Sequence, residues 1–263
     1  MGAQMIDFSG KVILVTGGSR GIGAACVKAL VKAGGDVVVH YGSNKAAAET
    51  TADEAGADNC HLIGADLAEP GAAADLWRRA MAWKGHVDVL VNNAGIFAPA
   101  LVDGPDDVWL ENWQRILQVN LVAAADLSRQ AVNTWRTDAA SSGVRGVIVN
   151  VASRASWRGD GPEYWSYAAS KGGMISLMKT IARAYAKDGI LCYAVAPGFV
   201  ETDMALESFE HDTALRDLVV RDIPMGDIAP ASDVAHTVCF LASGLAPHAT
   251  GTTIDVNGAS YVR

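Results

Sequence analysis

Short apolar runs rich in Val and Ile alternate with longer stretches of mixed polar and apolar residues along the chain. A short apolar run fits a buried strand and a longer amphipathic stretch fits a helix, so the alternation predicts βαβ units and a mostly parallel sheet. We predict strands near residues 11–16, 36–41, 59–65, 87–91, 144–151, 189–195 and 252–256. We predict helices near residues 21–33, 44–56, 71–84, 106–137, 164–187 and 230–242.

Right-handed crossovers would place these helices on both faces of the sheet, which predicts an α/β fold with a doubly wound, seven-stranded sheet. The chain of 263 residues exceeds an average domain, but one doubly wound domain reaches this size. Since no repeat or linker-like composition divides it, residues 1–263 are predicted to form one domain. Residues 199–228 interrupt the alternation. This excursion is predicted to be a lid or binding loop, with an ordinary surface helix and its loops as the alternative.

Composition and charge narrow the class of protein. Half of the residues are apolar and 19% are charged, which is typical of a globular chain with a real core. The formal net charge of −8 opposes binding to nucleic acid or to an anionic membrane. No apolar run is long enough to cross a bilayer and no targeting segment is evident, so a cytoplasmic protein is expected.

Cysteine and histidine spacing gives no sign of a metal site. Cys26, Cys60, Cys192 and Cys239 are far apart in sequence and form no close pair, so buried free thiols are expected. The six histidines show no ligand spacing on a shared element. The sequence therefore predicts no metal.

A glycine-rich turn, Thr16 to Gly23, follows the first predicted strand and opens a helix-like segment. Glycines allow the backbone to turn sharply and approach a pyrophosphate, and the free N–H groups at a helix start attract its charge. In an open α/β sheet, the ligand lies beyond the carboxyl ends of the strands, where the strand order reverses. The turn therefore predicts a dinucleotide-binding domain.

Tyr167 and Lys171 are four residues apart in a segment of helical character, so both side chains are expected on one helix face. A phenol titrates near pH 10, and its use as a proton donor or acceptor near neutrality calls for a shift of roughly 3 units, about 4 kcal/mol. An ammonium about 4 Å away contributes a term of that size. We therefore expect Lys171 to lower the pKa of Tyr167. By itself, such a pair is more often a surface pair on a helix.

Three further features join this pair. Asn92-Asn93-Ala94-Gly95 ends the fourth predicted strand, and Ser153 follows the fifth. Asn120 lies within a predicted helix, although asparagine is a poor helix former. With the glycine-rich turn and Tyr167-Ala168-Ala169-Ser170-Lys171, their order and spacing resemble the short-chain dehydrogenase/reductase family over almost the whole chain. The likeness is closest to the 3-oxoacyl-acyl-carrier-protein reductase type.

The resemblance implies a single-domain Rossmann fold and an oxidoreductase that moves a hydride between a nicotinamide and a carbonyl or secondary alcohol. Tyr167 would act as general acid or base, and Ser153 would orient the substrate oxygen and donate to a developing alkoxide. Lys171 would bind the nicotinamide ribose, and Asn120 would bend its helix and hold a water in a proton relay. For Asn120 a satisfied core amide is the alternative, and Ser156 is a competitor for the role of Ser153.

The resemblance also implies a set of cofactor contacts at the ends of the strands. Asp66 would contact the adenine, Thr202 would contact the carboxamide, and the excursion at 199–228 would cover the substrate. The predicted contacts are Gly17, Ser19, Arg20, Gly21, Ile22, Gly23, Tyr41, Asp66, Leu67, Asn93, Ala94, Gly95, Tyr167, Lys171, Pro197, Gly198, Val200 and Thr202.

The second predicted strand bears on the choice of coenzyme. A site for NAD usually places an acid about 20 residues past the first glycine, near the count of Asp36. However, Asp36 starts the strand, about 15 Å from the end that meets the cofactor at about 3.3 Å per residue. The other end, at Tyr41, has no carboxylate to repel a 2′-phosphate, and Arg20 corresponds to the arginine of members of the resembled family that use NADPH. We predict NADP(H), with NAD(H) as the alternative.

Substrate and assembly are less constrained. Aromatic and other apolar residues at the expected pocket mouth would suit an apolar or ring-bearing substrate, although such residues often only pack the fold. They are Phe97, Trp157, Trp165, Phe199, Met204 and Phe209. The resemblance implies a homotetramer built through the helices at 106–137 and 164–187 and the tail from Thr252. Apolar positions on these helices that permit such burial are Leu121, Ala124, Leu127, Ala131, Ile175, Met178 and Ile181.

Two other functions remain open from the sequence. One is an NAD-linked alcohol dehydrogenase of the same fold. The other is a regulator that senses the nicotinamide redox state without turnover. The regulator is disfavoured because all four catalytic positions are present.

Overall fold

Val-rich strands form the centre of the molecule, of which the computed structural model describes residues 6–137, 143–202 and 213–263. In chain order the strands are β1 (Val12–Val15), β2 (Asp36–Tyr41), β3 (Cys60–Gly64), β4 (Val89–Asn92), β5 (Gly146–Val151), β6 (Ile190–Pro197), β7 (Val200–Glu201), β8 (Ala229–Pro230) and β9 (Thr253–Val256). Each of the seven predicted strands is present, within a few residues of its predicted bounds.

The seven longer strands form one sheet in the order β3-β2-β1-β4-β5-β6-β9, and every neighbouring pair in it is parallel. The chain winds outward from β1 to β3, then returns beside β1 with β4. This reversal is the point at which a ligand binds in sheets of this kind. The predicted doubly wound α/β sheet is confirmed.

The helices are α1 (Gly21–Lys32), α2 (Lys45–Ala55), α3 (Ala72–Lys84), α4 (Asp106–Leu117), α5 (Ala123–Thr137), α6 (Ala155–Arg158), α7 (Trp165–Tyr185), α8 (Thr213–Arg221) and α9 (Ala231–Ala242). The stretch at 106–137, predicted as one helix, contains a π-helical turn over Gln118–Val122 between α4 and α5.

Helices cover both faces of the sheet, which explains why the strands are apolar on both sides. Val12 and Leu14 of β1 point into a core shared with α3, α5 and α7. Ile13 and Val15 point into a second core shared with α1, α2 and α9. Two successive residues of a strand therefore bury their side chains in different cores.

The predicted excursion at 199–228 is partly described. β7 and β8 pair in parallel at its two ends. Val219, Ile223 and Ile228 form a small cluster beside α8. Met204 and Phe209, predicted at the pocket mouth, lie outside the described residues.

Most of the apolar residues predicted to support an interface are instead buried in the protomer's own core. These are Ala124, Leu127, Ala131, Ile175, Met178 and Ile181. Their burial follows from the position of α5 and α7 against the sheet, where they face inward. Only Leu121 of the predicted set is half-buried.

The four cysteines are free thiols, as expected, and Cys26, Cys192 and Cys239 are buried, whereas Cys60 is only partly buried. Among the helices that the structure describes, none combines the length and the apolar character that a membrane span requires.

Candidate active site

The glycine-rich turn closes tightly over the end of β1. A Cβ atom at Gly23 would lie 1.9 Å from the carbonyl oxygen of Gly17, so α1 could not start here with any other residue. Gly21 has φ +53°, which side chains disfavour. Arg20, the N-cap of α1, supplies no side-chain cap to the helix start. The first N–H groups of α1 are therefore suited to an anion, as expected for Ser19 to Gly23.

Thr16 and Asn93 hold this turn against the end of β4. The Thr16 hydroxyl accepts hydrogen bonds from the backbone N–H groups of Asn93 and Ala94, both at 2.9 Å. The Asn93 side-chain amide donates to the carbonyls of Thr16 (2.9 Å) and Gly17 (3.0 Å). The side chain of Asn93, predicted to contact the cofactor, therefore acts in this structure as a brace for the loop.

Its neighbour Asn92 belongs to a buried row of amides across the sheet. The Asn92 amide donates to Asn150 Oδ1 at 3.0 Å and to Ser128 Oγ at 3.1 Å. Asn150 in turn donates to the Tyr193 carbonyl at 3.2 Å. Asn92 therefore helps to pack the sheet.

His40 lies beside the glycine-rich turn and was not among the predicted contacts. It lies one residue before the end of β2 and is 2% exposed. Its Nδ1 lies 3.0 Å from the Gly17 nitrogen and its Nε2 lies 2.9 Å from the Ala65 carbonyl oxygen. A histidine inside an otherwise apolar strand, Val37-Val38-Val39-His40, was the available signal.

The two ends of β2 differ as predicted. Asp36 pairs with Val12 at the start of β1, and its carboxylate accepts hydrogen bonds from Asn59 and Lys84. The prediction that Asp36 lies away from the cofactor end is therefore confirmed. At the other end, the Tyr41 ring lies so close to Gly64 that a Cβ there would be 2.9 Å from it.

The ends of β3 and β6 carry the remaining predicted contacts. Asp66 is exposed, and its carboxylate accepts a hydrogen bond from the Ala68 N–H at 2.9 Å, whereas the Leu67 side chain is buried. Gly198 donates its N–H to the Val256 carbonyl at 2.9 Å. The Val200 side chain is also buried, so neither Leu67 nor Val200 presents its side chain to a ligand.

Pro197 ends β6, pairing with Val256 of β9. A Cβ at Gly21 would lie 3.1 Å from the Thr202 methyl carbon. The segment after β6 therefore reaches the glycine-rich turn.

Ser153, Tyr167 and Lys171 lie together at the carboxyl end of β5. α7 begins at Trp165, and its spacing places Tyr167 and Lys171 on one face, with Lys171 Nζ 5.8 Å from the centre of the Tyr167 ring. Lys171 Nζ donates to the Val151 carbonyl at 2.9 Å. The Ser153 hydroxyl acts on the Tyr167 phenol and lowers its pKa. Three predicted catalytic side chains thus converge.

The protonation of this group differs from the expectation. Burial raises the pKa of Tyr167 to about 12, although the neighbouring Ser153 hydroxyl opposes the shift. Burial also lowers the pKa of Lys171 to about 8. The expected lowering of the Tyr167 pKa by Lys171 is not found, because Lys171 is not among the groups that shift this pKa and desolvation of the phenol is the largest effect. The phenol is therefore protonated near neutral pH.

Asn120 lies in the π-helical turn and is fully buried. Its Oδ1 accepts from the Ile96 N–H at 2.8 Å, and its Nδ2 donates to the Ile96 carbonyl at 3.0 Å and to Ser170 Oγ at 3.2 Å. A Cβ at Gly95 would lie 3.4 Å from both Asn120 Oδ1 and Lys171 Nζ. Asn120 thus ties the loop after β4 to α7 beside Lys171.

Of the aromatic residues that were predicted at the pocket mouth and that the structure describes, Phe97 is the one whose ring meets the Tyr167 ring. Its ring stacks on Tyr164 at 3.9 Å between centroids and meets the Tyr167 ring edge-on at 4.8 Å. The other three described aromatic residues contact different partners. Trp165 packs on Trp109, Phe199 lies under Arg154, and Trp157 lies under Arg263.

Comparisons with known proteins agree with this geometry. The family model described as "Enoyl-(Acyl carrier protein) reductase" matches residues 17–259. The 3-oxoacyl-[acyl-carrier-protein] reductase FabG of Escherichia coli is 34% identical over 98% of this chain and 100% of its own length. The 3beta-hydroxysteroid dehydrogenase 1 of Eggerthella lenta is 36% identical over 96% of this chain and 94% of its own length.

A solved structure is also similar to this chain along nearly its whole length. The 3-oxoacyl (acyl-carrier-protein) reductase of Agrobacterium tumefaciens C58, solved with NADP bound, superposes with a TM-score of 0.85 at 30% identity. The alignment covers 96% of this chain and 95% of that one. The chain belongs to the short-chain dehydrogenase/reductase family. Its predicted family and its predicted class, an oxidoreductase, are therefore confirmed.

Proposed function

We propose that this short-chain dehydrogenase/reductase uses NADP(H) to move a hydride between the nicotinamide and a carbonyl or secondary alcohol carbon. The observation that carries the proposal is the convergence of the Ser153 hydroxyl, the Tyr167 phenol and the Lys171 ammonium at the end of β5. This end adjoins the reversal point of the sheet, where the glycine-rich turn lies.

Each side chain has a distinct task. In carbonyl reduction, Tyr167 donates its proton to the substrate oxygen, and Ser153 donates a hydrogen bond to the same oxygen as negative charge develops there. Lys171 places a positive charge beside the phenol as Tyr167 loses its proton. The bound coenzyme supplies or accepts the hydride. Because burial raises the pKa of Tyr167 to about 12, the phenol carries the proton that reduction requires at neutral pH.

The residues present fit a dinucleotide. The turn over Ser19 to Gly23 would hold the pyrophosphate, Asp66 and Leu67 would border the adenine, and Thr202 would meet the carboxamide. Tyr41 and the exposed Arg20 would border the 2′-phosphate. NADP in the Agrobacterium tumefaciens relative supports this choice. An NAD-linked alcohol dehydrogenase is the second candidate, since the same side chains serve both coenzymes.

The names of the relatives differ in the bond that is reduced. The family model is named for an enoyl reduction, whereas the two curated relatives are named for a keto or hydroxyl group. The Ser153–Tyr167 pair favours the carbonyl, because both hydroxyls can bind one oxygen. The Phe97 ring beside Tyr167 supports an apolar or ring-bearing substrate, covered by the excursion at 199–228.

The test is direct binding of each coenzyme, followed by a panel of carbonyls, alcohols and enoyl compounds read through nicotinamide absorbance. We expect tighter binding of NADPH than of NADH and turnover of a ring-bearing ketone. Tighter binding of NADH would favour the NAD-linked dehydrogenase. Turnover of enoyl compounds alone would overturn the proposed carbonyl chemistry, and binding of coenzyme without any turnover would favour the regulator.

We also propose a homotetramer. Several apolar side chains of the helices at 106–137 and 164–187 remain exposed in the protomer and support such burial. They are Val108, Leu110, Val122 and Trp165. Val262 in the tail is 76% exposed. Light scattering should give four times the protomer mass, and a monomer would contradict the proposal.

A further inference from the structure

His40 connects three strands at the carboxyl edge of the sheet. It lies in the part of the proposed binding crevice that the glycine-rich turn borders. Its ring lies between the Gly17 nitrogen, just after β1, and the Ala65 carbonyl, just after β3. Its own carbonyl accepts a hydrogen bond from the Gly18 N–H at 2.8 Å. One buried residue therefore sets the spacing between the glycine-rich turn and the segment that leads to Asp66.

The partners of the ring define its protonation. A backbone N–H can only donate and a carbonyl can only accept, so Nδ1 must offer a lone pair to Gly17 and Nε2 must carry a proton toward Ala65. This is the neutral Nε2–H tautomer. An imidazolium would also carry a proton on Nδ1, and this proton would face the Gly17 N–H.

We propose that His40 is a positioning residue for coenzyme binding, and that its protonation below neutral pH releases the Gly17 N–H and weakens that binding. The inference rests on the proposed function, in that the crevice holds a dinucleotide. His40 itself would act only through Gly17 and Ala65. Gly17 is the residue against which Gly23 and α1 pack, so its displacement would disturb the pyrophosphate end of the turn.

The surroundings agree with a neutral ring. Burial lowers the pKa of His40 below its ordinary value of 6.5. Among the described residues, the charged groups that act on it are Arg79 of α3, which lowers the pKa further, and Asp66, which opposes the shift together with the hydrogen bond to Ala65. The unfolded chain therefore takes up this proton first. The free energy of unfolding should be unaffected by His40 above pH 6.5 and should fall as the pH drops toward the folded pKa.

The experiment compares the dissociation constant of NADPH in the wild type and His40→Asn as the pH falls from about 8 to the lowest pH at which both proteins stay folded. Asn can accept from Gly17 without titrating in this range. We expect the wild type to lose affinity below pH 6.5 more steeply than the variant. The 2′-phosphate of NADPH also titrates, with a pKa near 6, but it affects both proteins equally, so their difference isolates His40. Parallel profiles would overturn the proposal.

Two further variants test whether the effect is specific to His40 and to coenzyme binding. His61→Asn changes a histidine on β3 that is only partly buried and stacks on Trp83. It should keep the steep profile of the wild type, and a flat profile there would contradict the assignment to His40.

His40→Leu leaves the Gly17 N–H and the Ala65 carbonyl unpaired. It should weaken NADPH binding about tenfold or more at neutral pH and raise KM for the coenzyme rather than lower kcat.

A measurement on the wild type avoids variants that fail to fold. Nitrogen-15 NMR of the His40 ring at neutral pH should show an unprotonated Nδ1 and a protonated Nε2. The opposite tautomer, or a charged ring, would overturn the proposal. This readout needs no turnover, so a failure of the proposed carbonyl chemistry would leave it standing and could be told apart from a failure of the His40 assignment.

Discussion

The proposed crevice has a nucleotide half at the glycine-rich turn and a catalytic half at Ser153 and Tyr167. The two halves use polar side chains differently. In the nucleotide half, Thr16, His40 and Asn93 form their hydrogen bonds with the protein and leave backbone groups to meet the ligand. In the catalytic half, the Ser153 and Tyr167 hydroxyls act on each other and would meet the substrate directly. Substitutions in the first half should therefore change binding and stability, whereas substitutions in the second should change turnover.

Burial also acts differently in the two halves. It lowers the pKa of both buried bases, but His40 starts near neutrality and stays uncharged, whereas the pKa of Lys171 falls only to about 8. At pH 7, one half is thus held by a neutral ring and the other contains an ammonium beside a protonated phenol.

The sharpest test of the comparison is Tyr167→Phe. It removes the proton donor without opening a cavity, so kcat should fall by roughly 10²- to 10⁴-fold while the dissociation constant of NADPH changes little. Steady-state kinetics and coenzyme titration measure the two quantities. Tyr164→Phe, which removes the hydroxyl of the ring stacked on Phe97, is the matched control and should retain turnover. A Tyr167→Phe enzyme within about tenfold of the wild type would refute the catalytic assignment.

The pH dependence of carbonyl reduction should come from Lys171. Its ammonium loses its proton as the pH rises through about 8, whereas the pKa of Tyr167, about 12, keeps the phenol protonated. The kcat/KM for reduction should therefore decline above pH 8. Lys171→Arg keeps the charge at this pH and should shift the decline to higher pH. If both enzymes decline at the same pH, another group controls the profile.

Asn120→Ala should affect both stability and turnover, because Asn120 ties the loop after β4 to α7 beside Lys171. It leaves the Ile96 N–H and carbonyl and the Ser170 hydroxyl without this partner, which should lower the free energy of unfolding by about 1–3 kcal/mol. Urea unfolding and kcat measure the two effects. Asn112→Ala is the control, since that amide ties α4 to α7 through Ser166 but lies outside the proton relay that the family resemblance implies. Equal losses of kcat in both variants would reduce Asn120 to a packing residue.

These expectations show what the sequence could predict. The strands were predictable because parallel strands buried on both faces are continuous apolar runs, such as Val12 to Val15. The pairing of Tyr167 with Lys171 was predictable because residues four apart share a helix face. The position of Asp36 followed from strand length alone. Each of these depends only on local repeats of the backbone.

Features that depend on tertiary packing were not predictable in the same way. The pKa of Tyr167 is set by burial, which the spacing to Lys171 does not reveal. The role of His40 depends on Gly17 and Ala65, which are brought to it from other strands. The π-helical turn at Asn120 interrupts a helical pattern that is continuous in sequence. The prediction that apolar residues of α5 and α7 support an interface was wrong, because these residues are buried in the protomer's own core. An apolar helix face does not indicate whether the helix packs on its own sheet or on a second copy of the chain.

The smallest effect is expected for Asp36→Ala, which tests the geometry of the nucleotide half. Asp36 lies at the far end of β2, where its carboxylate contacts Lys84 at 2.7 Å and Asn59 at 3.1 Å. Its removal should cost about 0–1 kcal/mol of unfolding free energy and leave the ratio of the NADPH and NADH dissociation constants unchanged. Arg20→Ala is the informative contrast, since it should weaken NADPH binding and spare NADH. If Asp36→Ala changes that ratio more than Arg20→Ala does, the coenzyme is chosen at the opposite end of the strand and the proposed site for the 2′-phosphate is wrong.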